Sequence, residues 1–435
     1  MPFRWNVREH LSLAVFVAKW LLIAGPVAAV IGSACALFLW SLDICTNTRL
    51  AHPWLLWFLP LAGLAVGWAY HRFGRSVEGG NNLLMEQIHT PGGGVPRRMG
   101  PMILLGTLIT HLFGGSAGRE GTAIQMGGSI ASALARRLHL KPHDIRILLM
   151  AGVAAGFGGV FGTPLAGAVF AMEVLAIGQI SYEAIIPCLI ASLVGDWACT
   201  AWNIHHTQYH ISLAASSLHW LLMTKVVLAA VAFGLVSVLF AELTHGLRQV
   251  FKRLIPRPEL RPFIGGLIVI ALVYVVGTRD YLGLGISSPD KSAVTILSAF
   301  APDGAHAWSW WWKILFTAIT LSSGFKGGEV TPLFFIGATL GNVLAWAMGA
   351  PPDLFAGIGF VAVFAGATNT PLACTLMGIE LFGSDHVVYI AVACFMAYLF
   401  SGHTGIYLSQ RIGMQKLPAS DIAPGSTLRD VRDGR

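Results

Sequence analysis

Long apolar segments of uneven length, separated by short polar stretches, dominate this chain. About 20 apolar residues are needed for a helix to cross the hydrocarbon core of a bilayer. Only 11% of the residues are charged, whereas soluble proteins carry about 25% and can cover a water-facing surface. We therefore predict an all-α, multi-pass membrane protein, with apolar helices near residues 11–41, 53–70, 101–114, 146–175, 184–202, 218–243, 263–277, 309–321, 333–349, 354–380 and 386–400.

Several of these segments are too short for a perpendicular span, and others contain glycine clusters such as the one over residues 152–159. Irregular backbone is tolerated at membrane depth only where protein buries it or where it lines a water-filled cavity. We therefore expect tilted and partial helices around a pathway near the middle of the membrane.

Basic residues gather at the ends of the apolar segments, and the net charge is +7. Such ends are typical of cytoplasmic loops, so we expect a location in the cell (inner) membrane. Nucleic acid is excluded as a partner, because apolar spans interrupt the positive charges. The basic residues concerned are Arg72, Arg75, Arg97, Arg98, Arg136, Arg137, Arg248, Lys252, Arg253, Arg257 and Arg261.

Two motifs recur in the same order in the two halves of the chain. Residues 115–128 (GSAGREGTAIQMGG) align with residues 324–337 (GFKGGEVTPLFFIG). Residues 163–173 (TPLAGAVFAME) align with residues 370–380 (TPLACTLMGIE) at nearly the same offset. Ordinary small-residue packing might produce one such pair but hardly both, so the chain contains an internal duplication.

The duplication predicts a first repeat over residues 11–205, a second over 215–413 and a short polar tail over 414–435, within one membrane domain. Duplicated halves are common in transporters whose site lies where broken helices from both halves meet. In each copy a glycine-rich turn precedes an apolar run, where a helix begins. Helix N-termini offer unpaired N–H groups and a partial positive charge, so two of them facing each other would form an anion site.

Four short motifs carry a resemblance to a known family. They are Gly80-Asn81-Asn82, Gly118-Arg119-Glu120-Gly121, Gly327-Gly328-Glu329-Val330-Thr331-Pro332 and Gly405-Ile406-Tyr407. In this order, on a duplicated membrane chain, they resemble the CLC family of chloride channels and proton-coupled anion antiporters, from about residue 15 to 412. The resemblance implies a homodimer in which each subunit has its own pathway between two inverted repeats.

The chain departs from the common CLC pattern at four positions. Thr122 stands where most members have proline, and Asn81 where they have a central serine. Val174 follows Glu173 where proton-coupled chloride members have an inward-facing glutamate, and Glu329 replaces an apolar residue. These features resemble the fluoride-exporting branch, which implies fluoride/proton exchange. A chloride/proton antiporter or a chloride channel of the same family stays open as the alternative.

Glu120 is the expected gate and proton carrier. A carboxylate at a helix N-terminus in an anion pathway mimics the anion: ionised it occupies the site, and protonated it withdraws. A structural capping glutamate is the alternative. The expected anion-binding residues are Asn81, Asn82, Gly118, Arg119, Gly121, Thr122, Glu329, Val330, Thr331 and Tyr407.

Each of these residues also has a simpler structural explanation. The asparagines could form an Asx turn beside Gly80, and Tyr407 could belong to an interfacial aromatic belt. Glu329 could handle a proton or bond a protonated fluoride, with Thr331 donating its hydroxyl to that anion, or the two could only fix a helix end. For Arg119 we expect a backbone contribution rather than a side-chain contact.

We expect no cofactor and no metal. The six cysteines have no metal-type spacing and mostly lie in apolar runs, so we interpret them as core residues. His205, His206 and His210 are expected in a loop, His111 is expected to be packed and hydrogen-bonded, and His403 to lie near the pathway.

An enzyme is the competing class. The chain contains Gly-x-Ser-x-Gly once, at residues 114–118, but that motif needs a preceding strand and a triad within reach. An apolar helical run precedes Ser116, and the second copy of the loop has Phe325 in its place. We therefore predict a transporter and not an enzyme.

Overall fold

The computed structural model describes residues 7–212, 219–417 and 422–434. The expected start of the second repeat, at 215, lies outside the described residues. Six helices are long and apolar enough to cross a membrane, within these ranges, and shorter apolar helices lie between them.

Over residues 7–212 the chain forms eight α-helices, and several of them have a proline at their first or second position. The longest is α1, with 45 residues. Their bounds are α1 Val7–Ala51, α2 Leu59–Phe73, α3 Asn81–His89, α4 Met99–Leu112, α5 Glu120–Arg137, α6 Pro142–Phe161, α7 Pro164–Glu173 and α8 Ile185–Ala201, with strand β1 at Ala176–Ile177.

Over residues 219–434 a second series follows, with a similar sequence of long, short and broken helices. Its bounds are α9 Trp220–Leu254, α10 Leu260–Val276, α11 Ser309–Ser323, α12 Val330–Met348, α13 Pro352–Thr368, α14 Pro371–Phe382 and α15 Val387–Phe400, then strand β2 at Arg411–Ile412 and α16 Leu428–Asp433. Strands β1 and β2 pair in parallel, so the segment just before residue 414 is joined to the segment that follows α7.

The packing of one half is repeated in the other. Helix α5 packs on α6 as α12 packs on α13, α6 packs on α8 as α13 packs on α15, and α1 packs on α8 as α9 packs on α15. Helices α6 and α13 are buried along most of their length, so the core runs through the centre of each half and leaves α1 and α9 to face the lipid on one side.

Two predicted segments, 146–175 and 354–380, are each broken into two helices. The first breaks at Gly162 and Thr163 and the second at Asn369 and Thr370, with Gly162 and Asn369 in the left-handed conformation. A proline follows in each case, and the residue before a proline disfavours the helical region. The apolar pattern continues across both breaks, so hydrophobicity alone could not place them.

Helices α7 and α14 cap each other across the two halves. The Glu173 carboxylate, at the end of α7, accepts the backbone N–H groups of Leu372 and Ala373 at 3.1 and 2.8 Å, at the start of α14. The Glu380 carboxylate, near the end of α14, accepts those of Leu165 and Ala166 at 2.9 and 2.8 Å. Each helix thus places a carboxylate at the N-terminus of the other helix, where the helix dipole is positive.

Candidate functional site

The two duplicated glycine turns meet in the interior of the protein. The Gly118 N–H donates to the Gly328 carbonyl at 2.6 Å, and the Gly328 N–H donates to the Gly118 carbonyl at 2.8 Å, as an antiparallel bridge. Helix α5 begins two residues after Gly118 and α12 two residues after Gly328. Two helix N-termini from different halves therefore converge on one place.

Glycine is required where the turns touch. Gly327 has φ +154°, and a Cβ there would lie 2.5 Å from the Cβ of Ala117. A Cβ at Gly118 would lie 2.9 Å from a carboxylate oxygen of Glu120 and 3.0 Å from the carbonyl of Gly328. A side chain at either position would separate the two turns or displace the glutamate.

Glu120 lies between the two turns, with 1% of its surface exposed. Its Oε2 accepts the backbone N–H groups of Arg119 at 3.1 Å and Thr331 at 3.0 Å. Its Oε1 accepts the Thr331 hydroxyl at 2.5 Å. The first half thus provides the carboxylate, and the second half provides two of the three hydrogen bonds that hold it.

The side chains of Arg119 and Thr122 do not lie between the two turns as Glu120 does: Arg119 is partly exposed, and Thr122 bonds a neighbouring helix. The guanidinium Nε of Arg119 lies 3.6 Å from Oε1 of Glu120, and the side chain is 20% exposed. The Thr122 hydroxyl is buried and bonds that of Thr107 at 2.7 Å, so it joins α5 to α4. Val330 is fully buried in the core at the start of α12. Its side chain is apolar, so it can contribute to an anion site only through its backbone.

A narrow cavity lies beyond the turns, between Asn81 at the start of α3 and Tyr407 in the segment after α15. About 10 Å³ of it is open to the centre of a water-sized sphere, which is close to the minimum that one water molecule needs. Its remaining walls are apolar, formed by Leu84, Met85, Ile88, Ile124, Val153, Phe170, Ala171, Val174 and Leu175.

The two polar groups of this cavity have no hydrogen-bond partner among the described residues: the Asn81 Oδ1 atom and the Tyr407 hydroxyl, both buried. Buried polar atoms are nearly always paired with protein or with an ordered ligand or water. Two unpaired groups facing one cavity of this size are therefore the expected signature of a site for a small hydrogen-bonding species.

Asn81 and Glu329 lie close to the start of α5, one residue after Glu120. A Cβ at Gly121 would lie 3.1 Å from Nδ2 of Asn81 and 3.8 Å from Oε2 of Glu329, so these two side chains approach the start of α5. Glu120 and Glu329 are both within electrostatic range of the Tyr407 hydroxyl. Glu120, Glu329 and Asn81 therefore cluster at the start of α5, and Asn81 also lines the cavity together with Tyr407.

Asn82 has a different position from its neighbour. Its Oδ1 accepts the backbone N–H of Ser409 at 2.9 Å, and it does not line the cavity. The sequence did not determine which asparagine faces inward; the structure places Asn81 at the cavity and Asn82 as a tie between α3 and the segment that carries Tyr407.

Comparisons with known proteins agree with this geometry. Residues 62–402 match the family described as "Voltage gated chloride channel". A "Chloride/fluoride channel protein" of Pseudomonas syringae pv. tomato is 51% identical over 414 residues, which are 94% of this chain and 90% of the relative. The chain belongs to the CLC family.

Solved structures of CLC proteins superpose on the whole fold. A CLC-type fluoride/proton antiporter matches with a TM-score of 0.85 at 33% identity, covering 90% of this chain and 98% of that one. A slow cyanobacterial Cl⁻/H⁺ antiporter matches with a TM-score of 0.74 at 19% identity, covering 88% and 94%. The predicted CLC-like membrane fold is confirmed.

Several residues outside the CLC motifs form a hydrogen-bond network around the segment that carries Tyr407, and the sequence did not indicate them. Asn369 donates its Nδ2 to the Thr404 carbonyl at 3.1 Å and to Oε1 of Gln410 at 2.9 Å. The Lys416 ammonium donates to the Asn369 side chain, to the Tyr398 carbonyl at 2.6 Å and to the Ser401 hydroxyl at 2.9 Å. Their polar character in an otherwise apolar region was the available signal.

The histidines and cysteines have the expected surroundings except for His403, which was expected near the pathway. His205, His206 and His210 lie in irregular backbone after α8. The ring nitrogens of His111 lie 2.9 and 3.0 Å from the Thr107 and Ala117 carbonyls. His403 accepts the backbone N–H of Lys416 rather than facing the cavity. The six cysteines are unpaired, and all but the partly buried Cys45 are buried.

The Gly-x-Ser-x-Gly sequence, residues 114–118, forms part of the first glycine turn, which ends at Glu120 and which we call the gate turn. The Ser116 hydroxyl is buried and bonds the Thr317 hydroxyl at 2.9 Å, and helix α4, not a strand, precedes it. A nucleophilic serine in this motif requires a preceding strand, and here a helix precedes Ser116 instead.

Proposed function

We propose that this CLC chain exports fluoride in exchange for protons. The observation that carries the proposal is the Glu120 carboxylate, which accepts three hydrogen bonds at the point where helix N-termini of both halves meet. A site that binds a carboxylate through N–H and O–H donors has the chemistry to bind a small anion.

The same geometry links anion movement to protons. When Glu120 is ionised, its negative charge is stabilised between the two helix ends and excludes other anions. When Glu120 is protonated, one oxygen becomes a donor and the attraction to the N–H groups is lost, so an anion can replace it. A proton must therefore bind before the anion passes, which is the requirement for exchange.

Fluoride is favoured over chloride by the donors beyond the gate. Fluoride is strongly hydrated, and a pathway that accepts it must replace those hydrogen bonds. The Tyr407 hydroxyl at the cavity and the Nδ2 group of Asn81 beside Gly121 are hydrogen-bond donors. Glu329 near Gly121 can take up a proton or accept a hydrogen bond from a protonated fluoride. Sites built from hydrogen bonds discriminate better than apolar sites of fixed size.

The two similar proteins support this choice of ion: the relative named a chloride/fluoride channel protein and the fluoride/proton antiporter structure. We further propose an inner-membrane homodimer whose subunits each contain the two repeats and the tail predicted above. Helix ends rich in arginine and lysine, as in α5 and α9, would face the cytoplasm.

Purified protein in liposomes, followed with fluoride and proton electrodes together, tests the proposal. We expect outward fluoride flow to drive inward proton flow, and Glu120→Gln to abolish proton movement and to alter or block fluoride flow. Glu183→Gln is the matched control, because this carboxylate is exposed in a short 3₁₀-helix before α8 and pairs with Arg146. Preserved pH-dependent exchange in Glu120→Gln would remove Glu120 as the gate.

Replacing fluoride by chloride in the same vesicles tests the ion. Coupled chloride flow at a similar rate would favour the chloride/proton antiporter, and uncoupled chloride flow would favour a channel. In cells that lack another exporter, removing the gene should cause sensitivity to fluoride.

A further inference from the structure

A second, larger cavity opens beside the gate. It has a volume of about 610 Å³ and lies between the end of α1, the gate turn, the loop after α8 and the connection between α10 and α11. Three arginines from separate segments line it, Arg49, Arg119 and Arg279. We name this cavity the arginine vestibule. Helix α10 lies between the basic end of α9 and the connection that lines this cavity. We therefore place its opening on the membrane face opposite to that basic end.

Arg49 has cationic neighbours and no acid partner. Among the described residues it forms no ion pair, and its Nε is buried without a hydrogen bond. The groups that interact electrostatically with Arg49 are the positive Arg279 guanidinium and the fully buried Lys313 amine. Lys313 itself donates to the carbonyls of Tyr281 and Gly283, which are neutral. Guanidinium groups held near each other repel, and an anion bound between them would reduce that repulsion.

Arg119 adds a third guanidinium. Its Nε is also buried without a hydrogen bond, although Oε1 of Glu120 lies 3.6 Å away. This arginine therefore belongs to both places: it lines the vestibule and touches the gate. An anion bound in the vestibule would contact the residue next to Glu120.

Acidic residues of the vestibule are bonded to their own neighbours. Asp43 accepts from Asn47 at 3.1 Å, Asp280 from the backbone N–H of Val294 at 3.0 Å, and Asp290 from the backbone and hydroxyl of Ser292 at 2.9 and 2.7 Å. None of these carboxylates forms an ion pair with Arg49 or Arg279 in the described ranges.

Two histidines, His205 and His206, also line the wall. Burial and the nearby Arg119 guanidinium lower the pKa of His206 to about 4. The arginines are the permanently charged cations that line the vestibule.

We infer that the arginine vestibule binds a tetrahedral oxyanion of the phosphate class, either free phosphate or the headgroup of an anionic lipid. The guanidinium group is a planar fork that matches the oxygen pairs of phosphate, and it is more weakly hydrated than an ammonium group. Three guanidinium groups facing about 610 Å³ can surround an anion of several oxygens. A single halide would leave most of that space to water.

The consequence for transport depends on the proposed function. An oxyanion in the vestibule would occupy the mouth of the fluoride pathway and draw the Arg119 side chain away from Glu120. Bound phosphate should therefore slow fluoride export from the vestibule side without entering the pathway itself.

Binding is tested without transport, by the melting temperature of the protein in a phosphate-free maltoside detergent. Ligands that bind only the folded state stabilise it by an amount that grows with the logarithm of their concentration relative to the dissociation constant. We expect inorganic phosphate, but not chloride at equal ionic strength, to raise the melting temperature. In Arg279→Gln the half-saturating phosphate concentration should rise about tenfold or more.

Arg279 is exposed in a connection, so its replacement leaves the core intact. Arg253→Gln, at the basic end of α9, is the control for loss of one positive charge and should leave the effect of phosphate unchanged. A short-chain phosphatidic acid is titrated in parallel, with its uncharged diacylglycerol as the comparison.

Stabilisation by inorganic phosphate that depends on Arg279 would support a free-phosphate site. Stabilisation by phosphatidic acid alone, again dependent on Arg279, would assign the same chemistry to a lipid headgroup. No stabilisation by either, or equal stabilisation of wild type and Arg279→Gln, would overturn the inference, whatever the flux assay shows about fluoride.

Discussion

The hydroxyl of Thr331 provides the sharpest test of the gate. It donates to Oε1 of Glu120 at 2.5 Å while the backbone N–H of the same residue donates to Oε2 at 3.0 Å. Thr331→Val removes the first bond, keeps the second and preserves the shape of the side chain, which is 1% exposed. Thr331→Ser keeps both bonds and is the matched control.

A hydrogen bond to a charged group contributes about 1.5–3 kcal/mol, and about 1.4 kcal/mol corresponds to a factor of ten in an equilibrium. The ionised carboxylate should therefore hold its place about 10- to 100-fold less tightly in Thr331→Val. Because the anion competes with that carboxylate, we expect the half-saturating fluoride concentration to fall by about tenfold or more, with Thr331→Ser close to wild type.

The measurement is the initial rate of fluoride efflux from proteoliposomes as a function of internal fluoride at one fixed pH. If half-saturation stays the same in Thr331→Val, the hydroxyl does not hold the gate closed. If it rises instead, the hydroxyl binds the transported anion, as the sequence first suggested, and the competition described here is wrong.

Three further changes address the cavity and the interlocked helices. Asn81→Leu should reduce the preference for fluoride over chloride, measured as the ratio of their flux rates, since it removes a polar group from the cavity; an unchanged ratio would place Asn81 outside the pathway. Tyr407→Phe, which removes a hydroxyl without a protein partner, should change flux but not the melting temperature, and a large drop in stability would indicate a structural role. Glu173→Gln should weaken two backbone bonds to α14 and cost about 1.5–3 kcal/mol, visible as a lower melting temperature in detergent, with an unchanged value counting against the cap.

The sequence predicted the part of the site that is formed by the duplicated motif. Each repeat of the glycine and glutamate pattern marks a turn followed by a helix, and the structure joins Gly118 to Gly328. The membrane character followed from the lack of charges, because this depends on composition rather than on contacts.

The remaining features depend on contacts between distant residues. The breaks at Thr163 and Thr370 lie inside continuous apolar runs, and only the following prolines mark them. The direction of Asn81 is set by packing against Gly121, which no local pattern contains. The position of Arg49, near the end of a long helix, gave no sign that it would lie beside Arg279 in a cavity.

Helices α7 and α14 show that neither half of the chain is chemically complete. Each takes the acid for its first turn from the other half, and Glu120 takes two of its donors from Thr331. A half expressed by itself would present bare amide groups to lipid tails, which cannot hydrate them. The chain is therefore comparable to two subunits fused end to end, whose ancestor would have needed a second copy of itself before it could enter a membrane in a stable form.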